Sequence, residues 1–298
     1  MADAAEVARA RLLALATSGQ WCSVALHRHD GGVDESDCLS ERLGAGQSER
    51  ILAMVRELCA GARIGLRELD AIAFDAGPGS FTGLRIGCAV AQGLGFALRR
   101  PLLAVDALAT LAWQRLRASR LDEAAVLVAS DARMGELYVA MYRVRRAWPW
   151  RGAAQGRAGA TGGGLSPLVE TLMTPRLVSR AGFLSGIAAA WPSTREATLD
   201  TVDLGPARVL LGGNAWQALD LLGEWAARHG LASLPAAPGD EEAYVRADAL
   251  AELAHRGWRE GAAIDAAAAA PRYVRDKVAL DRDEQRALRM RRADGVRP

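Results

Sequence analysis

Of the residues that can carry a proton, a metal or a covalent intermediate, the histidines are few, and no catalytic or metal-binding motif is spaced into the chain. The four histidines, His27, His29, His229 and His255, form neither HxxxH nor HExxH, so the sequence offers no helix-borne metal pair. Each reads as a surface residue. No GxSxG elbow occurs, and Ser80, the hydroxyl in the most distinctive turn, has no base close to it in sequence. At the first strand turn Thr17 and Ser18 follow Ala16, a poor setting for Mg²⁺, which normally takes a carboxylate alongside nucleotide phosphates. Asp131 supplies a carboxylate in the corresponding later turn, where Arg133 makes it read as an ion pair. No catalytic or metal-ligating residue is assigned.

The densest signal is GPGSFTGLRIGCAVAQGLGFAL, from Gly77 to Leu98. Gly83, Gly87, Ala91 and Gly95 recur every fourth residue and share one helical face. Each interior glycine costs about 1 kcal/mol relative to alanine, so contacts outside the helix must compensate. Either the bare stripe lies on the chain's own sheet, or it admits a partner helix at close range. The second reading is preferred, and it groups the stripe with Ile51, Met54, Val55 and Leu58 of the preceding helix as a partner-binding surface. The turn itself, Gly77, Gly79, Ser80 and Thr82 with Arg85 one turn on, can present backbone amides to an anion. With Asp131 these residues make a candidate nucleotide site. GPGSFTG lacks the lysine of GxxxxGK[ST] and the spacing of GxGxxG, and a turn capped by Ser80 or Thr82 is the alternative.

The elements that position these residues follow from periodicity. LLALATSG and WCSVALHR read as strands joined at Ser18-Gly19, with VDESDCLSERL a third. Gln47 to Ala60 has helical spacing, LDAIAFDAG is a buried strand, and the glycine helix stops before Pro101. LLAV and a helix from Asp106 to about Arg117 complete the unit. From Ala124 the pattern restarts in AVLVASDARMGELYVAMYRV, a repeat of about 115 residues that implies a duplicated βββαβα unit. The expected division is a flexible 1–10, a first lobe 11–120, a second lobe 121–240 with a glycine-rich irregular insertion 145–167, a helix and extended segment 241–280, and a basic tail 281–298. ARVLLGGNAWQALDLLGEW reads as strand, glycine turn and helix, and Asp248 to Gly261 as a further helix.

Half of the 298 residues are hydrophobic, and 37 basic against 35 acidic side chains leave a net charge of +2. That balance carries no global nucleic-acid signature. Four cysteines without CxxC spacing argue against a zinc site or a disulfide framework and for a reducing cytoplasm. LLALA is too short for a signal-peptide core, and no apolar stretch reads as membrane-length.

Together GPGSFTGLRIG at 77–87, AQGLGFAL, SDARMGELYVA at 130–140, ERILAMV and PRYVRD resemble the bacterial TsaB (YeaZ) family over residues 11–118 and 124–143. The resemblance implies an α/β fold of two duplicated lobes, of the actin, sugar-kinase and Hsp70 type (ASKHA). It also implies a cytoplasmic, non-catalytic scaffold that binds and stabilises TsaD, with TsaE joining, to form threonylcarbamoyladenosine next to the anticodon of ANN-decoding tRNAs. Contact with tRNA is then indirect, the chain pairs with itself when TsaD is absent, and ATP or ADP is the one cofactor to consider, at the partner interface. Gln47-Ser48-Glu49-Arg50 lacks the histidine pair of the catalytic paralogue, and Ala16 stands where relatives often have an acid. An ATPase or glycoprotease-like enzyme is the competing reading.

Overall fold

A computed structural model describes residues 9–44, 46–147, 166–180, 182–183, 209–218 and 243–274. The first sheet contains β1 (Arg9–Ala16), β2 (Trp21–Asp30), β3 (Val33–Arg42), β4 (Ala71–Gly77) and β5 (Leu102–Asp106), in the order β3-β2-β1-β4-β5. Gly31 and Gly32, both at positive φ, make the tight β2–β3 turn that a right-twisted hairpin requires. β1 pairs antiparallel with β2 and parallel with β4, and β4 pairs parallel with β5. The expectation of ten flexible N-terminal residues is corrected by two positions. Arg9 already sits in β1 opposite Asp30 and donates to its carboxylate at 2.7 Å.

The second sheet contains β6 (Glu123–Arg133), β7 (Glu136–Ala147), β8 (Ser166–Ser179) and β9 (Val209–Gly212), in the order β8-β7-β6-β9. Its two antiparallel pairings and one parallel pairing repeat those of β3-β2-β1-β4, so the duplication expected from turn placement is present in the strand order. The short helix α4 (Ala215–Ala218) follows the Gly212-Gly213 turn. Most of the glycine-rich insertion and the basic tail lie outside the described residues.

Alternation of side chains along the strands divides the apolar residues between layers. On one face of the first sheet, Leu13, Leu15, Val24, Leu26, Ile72 and Phe74 pack against α1 (Gln47–Ala62) and α2 (Phe81–Leu98). The opposite face, with Leu12, Ala14 and Ala73, joins Val126, Val128 and Tyr142 of the second sheet in one core around α3 (Ala107–Ala118) and α5 (Ala247–Arg259). Asp106 caps α3 by accepting from the Ala109 amide at 2.9 Å, and it accepts from Tyr142 Oη at 3.2 Å, linking the end of β5 to β7.

α2 is long and apolar enough to cross a membrane by length and composition, with a mean hydropathy of 1.3. That corrects the expectation of no membrane-length stretch. Its stripe of Gly83, Gly87, Ala91 and Gly95 is nonetheless buried inside the fold. Ser80 caps its start and Arg99, at φ 55°, closes its end.

Candidate partner interface

The small-residue stripe is directed inward, and this overturns its assignment as a partner surface. A Cβ at Gly83 would fall on the Thr17 carbonyl, and one at Gly87 would lie 2.5 Å from Thr17 Oγ1 and 3.5 Å from Asp75 Oδ1. At Gly95 it would lie 3.0 Å from both Ala266 Cβ and Leu102 Cδ2. Ala91 is buried in the same layer. Thr17 Oγ1 donates to the Gly83 carbonyl at 2.8 Å, so the helix backbone approaches β1 closely enough for a side chain to bond it. Ile51, Met54, Val55 and Leu58 are likewise buried against the sheet and offer nothing to a partner.

The outward faces of these two helices are a different set. On α2, Ala89, Gly93 and Ala97 are exposed, Ile86 and Val90 half-buried, and Phe96 is 59 % exposed. On α1, Leu52 is 40 % exposed. Between Ser48 of α1 and Phe81, Ile86, Ala89 and Val90 of α2 runs an open, largely apolar groove of about 410 Å³. Its end is shaped by Arg85, whose guanidinium lies 3.7 Å over the Phe81 ring and donates to Tyr273 Oη at 3.1 Å. Periodicity located this helix but could not say which of its two apolar faces stays open.

Several of the six candidate anion-binding residues are already engaged within the chain. Gly77 has φ 105°, and a Cβ there would meet the Arg272 carbonyl at 2.8 Å, so the closing PRY segment requires glycine at this position. Gly79 rests on Ser18, and the Ser80 amide donates to the Ser18 carbonyl at 2.7 Å. Ser80 Oγ accepts from Gly83, while the Thr82 side chain is exposed. Asp131 belongs to the β6–β7 turn of the second sheet, accepting from the Arg133 amide and donating its own amide to Asn214 Oδ1, each at 2.8 Å. No hydrogen bond or ion pair among the described residues joins it to the glycine turn.

Asp75, absent from the sequence reading, occupies the centre of this region. Its fully buried carboxylate accepts from the Ser18 amide at 2.8 Å and the Thr17 amide at 3.2 Å. The first strand turn therefore directs its amides at a carboxylate supplied by the chain itself. Burial pushes Asp75 up to about 6 against the pull of those hydrogen bonds. The thiol of Cys22 is pushed up to about 12, also by burial, which leaves it inert.

Three histidines contradict their surface assignment. His27, His29 and His255 are all buried and cluster around Asp34, with ring centroids 4.9 Å apart for His27–His255 and 4.6 Å for His29–His255. The i, i+2 spacing of His27 and His29 marks one strand face, but nothing local signals His255. Burial lowers His255 to about 3. His229 lies outside the described residues.

The family model described as TsaD, tRNA N6-adenosine threonylcarbamoyltransferase, matches residues 41–147. The Escherichia coli (strain K12) tRNA threonylcarbamoyladenosine biosynthesis protein TsaB is 30% identical over 275 residues, spanning 90% of this chain and 96% of its own length. The protein of the same name from Haemophilus influenzae is 40% identical over 127 residues, 43% of this chain and 51% of that one. Among solved structures, YeaZ from Pseudomonas aeruginosa superposes with a TM-score of 0.58 at 31% identity, covering 89% of this chain and 99% of that one. A second Pseudomonas aeruginosa structure, described as having similarity to peptidase YEAZ, gives a TM-score of 0.61 at 30% identity, over 89% and 100% of the two chains. With this coverage and identity, and with the duplicated strand order in place, the chain belongs to the TsaB (YeaZ) family.

Proposed function

We propose that the chain acts in threonylcarbamoyladenosine biosynthesis as a non-catalytic subunit that binds and stabilises TsaD through the outer faces of α1 and α2. The observation that carries this reading is the open apolar groove between Ser48 and the Phe81–Val90 stretch, flanked by Leu52 and Phe96. Exposed apolar patches of this kind mark association surfaces. The TsaD family model covers residues 41–147 and therefore both helices, which supports a partner of the same fold presenting equivalent helices. A self-complementary patch on one fold also pairs two copies of it, so the homodimer and the TsaD complex compete for one face. TsaE and tRNA then join through the assembly, and ATP or ADP belongs to the complex rather than to the Thr17–Ser18 turn.

Ala89→Arg tests the reading, because it puts a charge on the exposed side of α2 without touching the sheet. Co-purification with TsaD should weaken about 100-fold, in the range of an interface hot spot, while the circular dichroism of the isolated variant stays unchanged. Undiminished capture of TsaD would overturn the assignment of the face. ATP or peptide turnover by the pure chain would overturn its non-catalytic role.

A further inference from the structure

We propose that His27, Asp34 and His255 form a Zn²⁺ site at the junction of the β2–β3 hairpin with α5, with His29 holding the Asp34 carboxylate from outside it. The topology assembles the site from both ends of the chain. His27 and His29 project from one face of β2, Asp34 lies opposite His29 in the β2–β3 register, and α5 brings His255 onto that face.

Three ring nitrogens converge on a single oxygen. Asp34 Oδ1 is 2.8 Å from His29 Nδ1, 3.2 Å from His27 Nε2 and 3.5 Å from His255 Nδ1. One carboxylate oxygen cannot serve three imidazoles well, and the result is visible in the hydrogen bonding. His27 Nε2 and His255 Nε2 are both buried without a hydrogen-bond partner, His27 Nε2 being near Asp34 but out of line for a bond. His27 is 1% exposed and His255 6%. An orphaned buried nitrogen carries a desolvation penalty, and for His27, whose orphaned Nε2 is also the atom facing Asp34, a cation taking that lone pair would remove it.

The dimensions suit a small tetrahedral ion. Bonds of about 2.0–2.1 Å place neighbouring ligand atoms about 3.3 Å apart, and Asp34 Oδ1 stands 3.2 Å from His27 Nε2 and 3.5 Å from His255 Nδ1. One ligand atom from each of His27, Asp34 and His255 already lies within 4.8 Å of the others. His27 Nδ1 sits 2.8 Å from Ser36 Oγ, an outer-shell contact that turns Nε2 toward the centre. Two imidazoles and one carboxylate favour zinc over Mg²⁺ or Ca²⁺, which take oxygen ligands. Three protein ligands leave the fourth tetrahedral position to water, while His29 Nδ1, 2.8 Å from Asp34 Oδ1, orients the carboxylate.

The test uses the untagged full chain, stripped with a chelator and titrated with Zn²⁺ alone. One zinc per chain should survive gel filtration by elemental analysis, and zinc should raise the thermal midpoint by linkage. Co²⁺ in its place should give the intense visible bands of a tetrahedral ion without thiolate charge transfer. His255→Ala should weaken zinc binding at least about 100-fold, and Asp34→Asn, at a partly exposed position, does the same if the histidine variant fails to fold. The proposal is overturned if the stripped wild type retains no zinc, if the variants retain it undiminished, or if cobalt shows octahedral or thiolate spectra.

Discussion

Glycine in α2 is required at some positions and only tolerated at others, and single substitutions separate the two. Gly83→Ala drives a methyl into the Thr17 carbonyl, a backbone atom that cannot move aside. It should destabilise the protein by about 2–4 kcal/mol, like a severe overpacking. Gly93→Ala meets nothing within 4 Å and should stabilise by up to about 1 kcal/mol. Urea unfolding of the two variants checks both signs, and a common sign would refute the inward stripe. The fourth-residue spacing made the stripe legible in sequence, but its direction was not, because the closest contacts come from Thr17, in the turn after β1 and more than sixty residues earlier in the chain. Asp75 has its own signature in pH. Its folded pKa of about 6 lies above the ordinary 3.8, so its stabilising contribution is complete below 3.8 and is lost as pH rises through about 6. The difference in unfolding free energy between wild type and Asp75→Asn should therefore fall across that window and level off above it; a difference that rises with pH would mean the amide hydrogen bonds outweigh burial.

Single side chains at element ends connect the layers as much as apolar faces do. Asp106 ends β5, caps α3 and accepts the Tyr142 hydroxyl of β7, so one carboxylate serves two connections. Asp106→Ala removes the cap, worth about 0.5–2 kcal/mol, and strands a buried hydroxyl at about 1–3 kcal/mol. Tyr142→Phe removes only the second connection and leaves the cap. Equilibrium denaturation should rank Asp106→Ala as clearly the more damaging, and equal losses would show that the cap contributes nothing. Helices α1, α2, α3 and α5 were all legible from 3.6-residue periodicity, and their stop signals at Arg99–Pro101 and Gly261 place the ends within a few residues. Which face of α1 and α2 meets solvent was not legible. Both helices carry apolar residues on two sides, and Leu52, Ala89 and Phe96 differ from Ile51 and Leu84 only by what the sheet covers.

At the scale of the molecule the duplication decides how stability is shared. Strand order repeats between the sheets, yet the two units do not have separate cores. Trp113, Leu108 and Leu116 of α3 and Leu250 of α5 pack with Leu12 and Ala14 from one sheet and Val126 and Val128 from the other. Charged groups bind the two middle helices together: Arg117 reaches Asp248 at 2.7 Å and Glu252 at 2.8 Å, and Trp113 Nε1 donates to Glu252 at 2.6 Å. The repeat was legible because turn glycines and alternating strands recur at matching distances. The shared core was not, because α5 follows both sheets in sequence and its contacts with β1 and β2 are remote. A core held in common predicts one cooperative unit rather than two. Native-state hydrogen exchange should give the amides of β1 and β4 the same opening free energy as those of β6 and β7. Trp113→Ala, which should cost about 3–5 kcal/mol, should lower both sets equally. If only one sheet loses protection, the lobes unfold independently, and the α3–α5 layer belongs to one of them alone.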